Sequence, residues 1–306
     1  MPTVRRPALA RTARSHHDDN APPRLVAILN LTFDSFSGDG LGASVEDAVA
    51  KGCAMVDAGA DVLDIGAEST RPGAIAVDAA VEQARVMPVI AALSQVVACL
   101  IAIDTRRPAT AEMALCAGAT MVNDTSGTAS PEMAAVVMRH GALWVLMHAP
   151  QAIGQMAWSQ AGPTMETDTV AGVARVVADL RAMVDAAVAA GVDGANLVVD
   201  PGLGFGKTVG QNLAFLRPVD ALVSLGVPVY LGPSRKSFLG HVSGRDVEAR
   251  LAATAAAVTA AVLAGARYIR VHDVAAMRDV IDVAWAICSG DDRPAAARGR
   301  PWAMSR

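Results

Sequence analysis

Four cysteines in 306 residues, at positions 53, 99, 116 and 288, form no Cys-x-x-Cys pair. The spacing therefore carries no zinc or dithiol signature. Cys53, Cys99, Cys116 and Cys288 read as small buried residues in a reducing compartment. Excess positive charge is also lacking: the formal net charge is −4, so no basic field draws nucleic acid. No apolar stretch looks like a membrane span. The longest, over residues 251–266, is Ala-rich, contains Thr254 and Thr259, and follows charged residues, which suits a buried helix. No apolar segment follows Arg5, Arg6, Arg11 and Arg14, and Asp18 and Asp19 break the acid-poor composition of a transit peptide. A cytoplasmic protein is the expectation. No linker interrupts residues 24–289, so one domain is expected there, with disordered tails over 1–23 and 290–306.

What the chain does have is a repeated polarity. Eight short apolar runs each end in polar residues. Residues 25–31 end in Asn30 and Thr32, and 62–65 hold Asp64 and lead to Glu68, Thr70 and Arg71. The runs at 100–103, 121–122 and 197–199 end in Asp104, Asn123-Asp124 and Asp200. Residues 143–147 end in His148, 227–231 lead to Ser234, Arg235 and Lys236, and 268–271 carry Arg270 and end in His272. Chemistry at the same end of every run is the pattern of parallel strands whose loops converge on one face. Between the runs lie stretches of helical spacing. Ser44 with Asp47 is an N-cap pattern, Pro108, Pro131 and Asp246 mark other helix starts, and an Ala-Gly-Ala/Val join recurs at Gly59, Gly118, Gly191 and Gly265. The fold class predicted is α/β, a single (β/α)8 TIM barrel. The glycine loop that a doubly wound sheet would carry after its first strand is absent.

Several residues point to an anion and a heterocycle. Arg270 and His272 share one side of a strand and suit a phosphate, or equally a structural ion pair and a core histidine. Asn30 is a metal or phosphate ligand, or a capped polar residue. Asp104, Asn123 and Asp200 end three strands; their acceptors would satisfy a flat heterocycle bearing an amino group beside a ring N–H. Asp104, followed by Thr105, equally fits a helix cap. The segment from Asp200 to Thr208 ends like a phosphate-binding loop, but its spacing is one residue short. It reads instead as a tight turn that brings backbone and Phe205 against a planar ligand. Lys236 pointing inward would donate or stabilise charge; a solvated Arg235/Lys236 pair is the alternative.

Taken in order, the motifs Asn30-Leu31-Thr32-Phe33-Asp34-Ser35-Phe36-Ser37, Asp64-Ile65-Gly66-Ala67-Glu68-Ser69-Thr70-Arg71-Pro72-Gly73, Asn123-Asp124, Met147-His148, Ser234-Arg235-Lys236-Ser237 and Arg270-Val271-His272-Asp273 resemble dihydropteroate synthase over residues 25–289. The resemblance implies condensation of 6-hydroxymethyl-7,8-dihydropterin pyrophosphate with p-aminobenzoate. It implies that Asp104, Asn123, Met147, Asp200, Phe205, Gly232 and Lys236 hold the pterin. Asn30, Arg71, Arg270 and His272 would hold the pyrophosphate, with Mg²⁺ on Asn30. Phe36, Thr70, Arg71, Pro72 and Ser234 would surround p-aminobenzoate. Asp34, Lys236, Arg270 and His272 would act in catalysis, in a homodimer. Phe33 stands where the family usually has proline, so the first loop is expected to order only with Mg²⁺ and pyrophosphate. A non-catalytic pterin-binding paralogue and a methyltetrahydrofolate:corrinoid methyltransferase-like barrel are the competing readings.

Overall fold

The computed structural model describes residues 21–31, 44–67, 77–150, 169–217 and 220–294. Its strands are β1 (Arg24–Asn30), β2 (Val62–Gly66), β3 (Leu100–Asp104), β4 (Met121–Asp124), β5 (Leu143–Met147), β6 (Leu197–Asp200), β7 (Tyr230–Leu231) and β8 (Tyr268–Val271). All are parallel, in the order β6-β5-β4-β3-β2-β1-β8-β7. A parallel bridge between Val199 and Val229 joins the two ends of that order, so the sheet closes on itself. The eightfold pattern read from the sequence is a (β/α)8 barrel.

Alternation along the strands divides the apolar residues into two sets. One set faces into the barrel: Val26, Val62, Ala102, Met121, Val145, Val198, Tyr230 and Tyr268 pack there as a single cluster. The other faces outward with Leu25, Leu63, Ile103, Val122, Leu146 and Val199, against the helices. On five of the strands the inward position one step further along is polar: Asp64, Asp104, Asn123, Asp200 and Arg270. Tyrosines and aliphatics thus plug the base of the barrel, and the chemistry lies at its C-terminal mouth.

The helices are α1 (Val45–Asp57), α2 (Ala79–Val96), α3 (Pro108–Ala117), α4 (Pro131–His140), α5 (Thr169–Ala189), α6 (Val209–Ala214), α7 (Asp220–Val223), α8 (Ser237–Ser243), α9 (Leu251–Leu263) and α10 (Val274–Ser289). Ser44 caps α1 in a capping box with Asp47. Pro108 and Pro131 open α3 and α4. The helix-to-strand glycines adopt the positive φ that the join requires. At Gly118 (φ 120°) a Cβ would also lie 2.5 Å from the Ser94 side chain.

Three expectations are corrected. Asp246 precedes only a 3-10 turn, Val247–Ala249, and α9 starts at Leu251. Two helices, not one, follow each of β6 and β7; α8 is stopped by Gly244 in the left-handed conformation. Cys116 and Cys288 are exposed and Cys53 half-buried, leaving only Cys99 buried. Cys116 sits in the last turn of α3 beside Glu112, whose carboxylate is already paired with Arg139 and His140. Residues 1–20 and 295–306 of the two tails, with Phe33, Asp34, Phe36, Thr70, Arg71 and Pro72, lie outside the described residues.

Candidate active site

The mouth of the barrel holds a cavity of about 330 Å³, counting its opening. Asp104, Asn123, Met147, Asp200, Phe205, Gly232 and Lys236 all line it, together with Arg270, Thr125 and Leu203. Six strand ends or strand-following turns contribute, which explains why no local motif shows the whole. Apolar walls with a few convergent polar groups are what a small-molecule site requires.

The turn after β6 is the most elaborate wall. Gly202, Gly204 and Gly206 all have positive φ. At Gly202 a Cβ would lie 2.2 Å from the His148 carbonyl oxygen, so the close approach of the β5 and β6 ends excludes any side chain there. Asn212 ties the turn from below: its Oδ1 accepts from Gly204 N at 2.6 Å and its Nδ2 donates to Lys207 O at 3.2 Å. Phe205 consequently packs on Met147, and Lys236 Nζ lies 4.4 Å from the centre of its ring.

Lys207, which looks like a phosphate-loop lysine in sequence, points into the protein. It is 1% exposed. Its Nζ lies 3.2 Å from His148 Nδ1 and donates to the Phe205 carbonyl oxygen at 3.1 Å. Burial lowers its pKa to about 7, with nearby Asp200 opposing the shift. His148 in turn lies 3.3 Å from Asp179 Oδ2. Burial and the neighbouring Lys207 hold its imidazole near 4, so it is neutral. Lys207 and His148 therefore brace the turn that carries Phe205; sequence reading gave Lys207 no role.

Asp200 accepts from Gly202 N at 2.7 Å through Oδ1, which leaves Oδ2 for a ligand. Burial pushes its carboxyl up to about 6, against the Gly202 hydrogen bond and the charges of Lys236, Lys207 and Arg270. Asp104 does not cap α3. It accepts from Arg270 Nη2 at 2.9 Å, while Arg270 Nε donates to Asp64 Oδ2 at 2.6 Å. Burial works against the charge of Arg270, but Asp64 and Asp104 outweigh it and raise its pKa. The guanidinium is thus both a wall of the cavity and the centre of a buried ion-pair group. Asp64, also given no role in the sequence reading, is wholly buried beneath it. Its signals were a charged residue at an inward position of a strand and its place at the head of the Asp64–Gly73 motif.

Burial, then Arg270, Arg235 and Lys236, hold the pKa of His272 near 3, so in the ligand-free site it is a neutral imidazole. Its Nδ1 lies 3.0 Å from Ser234 Oγ, and the same hydroxyl accepts from His272 N at 3.2 Å. Ser234 and His272 thus form one rim. Arg235 and Lys236 part company: Arg235, with φ 58°, turns away to pair with Asp273, while Lys236 turns into the cavity. Asn30 ends β1 on the inward side and is half-buried.

Similar proteins agree in kind. Residues 26–272 match the family described as pterin binding enzyme. The dihydropteroate synthase of Mycobacterium leprae is 45% identical over 274 residues, covering 87% of this chain and 94% of that protein. A Xanthomonas albilineans dihydropteroate synthase solved with 4-aminobenzoic acid superposes with a TM-score of 0.80 at 40% identity, covering 90% of this chain and 95% of that one. The same organism's enzyme in complex with 7,8-dihydropteroate gives 0.77 at 37% identity, covering 90% and 96%.

Proposed function

The chain belongs to the dihydropteroate synthases, within the family of pterin-binding enzymes, and on that premise we propose which of its groups performs each part of the reaction. The enzyme joins 6-hydroxymethyl-7,8-dihydropterin pyrophosphate to p-aminobenzoate, releasing pyrophosphate and forming 7,8-dihydropteroate. The observation that carries the assignment is the convergence of seven candidate pterin residues with Arg270 on one cavity.

Asp200 Oδ2 and the Asn123 carboxamide oxygen accept hydrogen bonds from the N–H groups of the pterin edge. Asp104, with Arg270, completes the polar floor, while Phe205, Met147 and Gly232 pack on the ring. Lys236 adds a donor and a positive charge beside it. Pyrophosphate lies toward Arg270 and His272, with Arg71 joining them. The carbon–oxygen bond breaks as pyrophosphate leaves, and the electron-rich ring stabilises the positive charge on the methylene carbon. The neutral amine of p-aminobenzoate attacks that carbon and then loses a proton, so no strong general base is needed. Ser234, with Phe36, Thr70, Arg71 and Pro72, would contact this second substrate, and Asp34 would help stabilise the positive charge on the methylene carbon.

Asn30 fits Mg²⁺. It offers one neutral oxygen at the mouth, and Mg²⁺ takes one or two protein oxygens while completing its shell from water and phosphate. When bound, the ion would neutralise charge on the departing pyrophosphate.

The direct test is pyrophosphate release from the pterin pyrophosphate with and without p-aminobenzoate. Release that requires p-aminobenzoate is expected. Pterin binding without release would leave a non-catalytic barrel.

A pH dependence follows from Asp200. The pterin edge binds the carboxylate, because a protonated carboxyl would turn a donor toward a donor. Affinity for free pterin should therefore be steady at neutral pH and decline as pH falls through about 6. Calorimetry from about pH 8 to about pH 5 checks this, with proton release on binding in the acid range. Unchanged affinity at the acid end would remove Asp200 from the site.

Two copies pairing through the outer helices is consistent with Val283 and Ile287 exposed on α10 and Leu263 exposed on α9. Ile287→Glu should then shift sedimentation toward a monomer. Among the described residues no helix is long and apolar enough to cross a membrane, and action in the cytoplasm belongs to the same reading.

A further inference from the structure

Asp64 does not line the cavity, yet it touches two residues that do. It is 0% exposed, one inward step above Val62 on β2. Its Oδ2 accepts from Asn123 Nδ2 at 3.0 Å and from Arg270 Nε at 2.6 Å. A buried carboxylate in this position is costly unless paired, and β2 could hold an apolar side chain there. The pairing has a directional consequence. A carboxylate only accepts, so the Asn123 carboxamide must turn its NH₂ toward Asp64; the opposite orientation would set oxygen against oxygen. The Asn123 Oδ1 is then left buried with no partner among the described residues, on a side chain that lines the cavity.

We propose that Asp64 is a positioning residue that sets the hydrogen-bond polarity of the pterin site. By holding the Asn123 NH₂, it makes Asn123 an acceptor toward the ligand. Asn123 Oδ1 and Asp200 Oδ2 then form an acceptor-only face. That face selects a ring edge that donates at both positions and rejects one carrying a lone pair at either. The same Oδ2 anchors Arg270 through Nε and leaves Nη2 on Asp104, so one atom orients both a ligand acceptor and the nearby cation. The inference rests on the dihydropteroate synthase reading of the site.

A polarity exchange tests it. Asn123→Asp sets two carboxylates face to face and should raise KM for the pterin pyrophosphate roughly 100-fold. Asp64→Asn alone keeps an oxygen for Arg270 and Asn123 and should raise KM less than about tenfold. The double variant Asp64→Asn/Asn123→Asp restores the bond with donor and acceptor exchanged. In the wild type one oxygen, Oδ2, serves both partners, so the amide on β2 must turn until its NH₂ meets the β4 carboxylate and its oxygen meets Arg270 Nε, while that carboxylate still presents an acceptor to the ring. It should regain at least about tenfold over Asn123→Asp, a coupling that independent sites would not show. KM for p-aminobenzoate should stay within about threefold throughout, a split that general loosening of the barrel would not give. Should Asn123→Asp fail to fold, Asp64→Ser replaces it: too short to reach both partners, it should raise the pterin KM well above that of Asp64→Asn. A double variant no better than Asn123→Asp, or in the fallback Asp64→Ser equal to Asp64→Asn, overturns the proposal. Wild-type protein that turns over no pterin pyrophosphate overturns the functional reading instead.

Discussion

Asp200→Asn should weaken pterin binding by about 2–4 kcal/mol, roughly 30- to 700-fold in affinity. The reason is geometric. Oδ1 of Asp200 is already committed to Gly202 N at 2.7 Å, and that bond holds the side chain in one orientation. An asparagine there keeps its oxygen on Gly202 and places its NH₂ where the pterin edge also presents N–H. One hydrogen bond becomes a clash of donors in a buried site, which costs more than the bond itself. Rotating the amide to satisfy the ligand would set NH₂ against Gly202 N, so neither orientation is good. Calorimetry with free 6-hydroxymethyl-7,8-dihydropterin isolates this term from pyrophosphate contacts. Affinity equal to wild type would show that Asp200 does not touch the ligand.

Arg270→Ala should be damaging twice over, and for that reason it is a poor probe of pyrophosphate binding taken alone. Removing the guanidinium takes a charged partner from each of the carboxylates of Asp64 and Asp104, which are buried and bonded to it. Breaking a buried pair from one side costs about 3–5 kcal/mol of stability. The pterin floor, which these contacts hold in place, would lose its shape. Free pterin and its pyrophosphate should therefore both bind poorly. His272→Ala is the cleaner variant. The imidazole is neutral in the free site and bonded to Ser234, so its loss should cost about 1 kcal/mol of stability. The pyrophosphate-bearing substrate should weaken by about 1.5–3 kcal/mol, the worth of a hydrogen bond to a charged group, with free pterin nearly unaffected. Denaturant unfolding and calorimetry with the two ligands separate these effects. Equal losses for both ligands in His272→Ala would make His272 structural.

The barrel itself was legible in the sequence because its signals are local. An apolar run ending in a polar residue, a Ser44-to-Asp47 capping box and a glycine after α1, α3, α5 and α9 are each determined by neighbours a few positions apart. The strand ends are the active face of this architecture, so Asp104, Asn123, Asp200 and Arg270 could be named before any contact was known. Helix number was less legible. The break between α6 and α7 leaves apolar composition almost unchanged, and in the charged segment between α8 and α9 Gly244 reads as one more surface glycine. Only the tertiary structure decided which way side chains face and what they meet. Lys207 and Lys236 both sit in glycine- or serine-containing segments after strands, yet one is sealed under the Phe205 turn and the other enters the cavity. The charge of His272 depends on burial and then on Arg270, Arg235 and Lys236, brought beside it from two strand ends. Asp64 and Arg270 are 206 positions apart, and β1 lies between their strands in the sheet. No periodicity in the chain records that their atoms meet at 2.6 Å. Local pattern settles which residues reach the mouth of the barrel, whereas closure of the sheet settles which carboxylate faces which cation, because only closure brings strands remote in sequence across one interior.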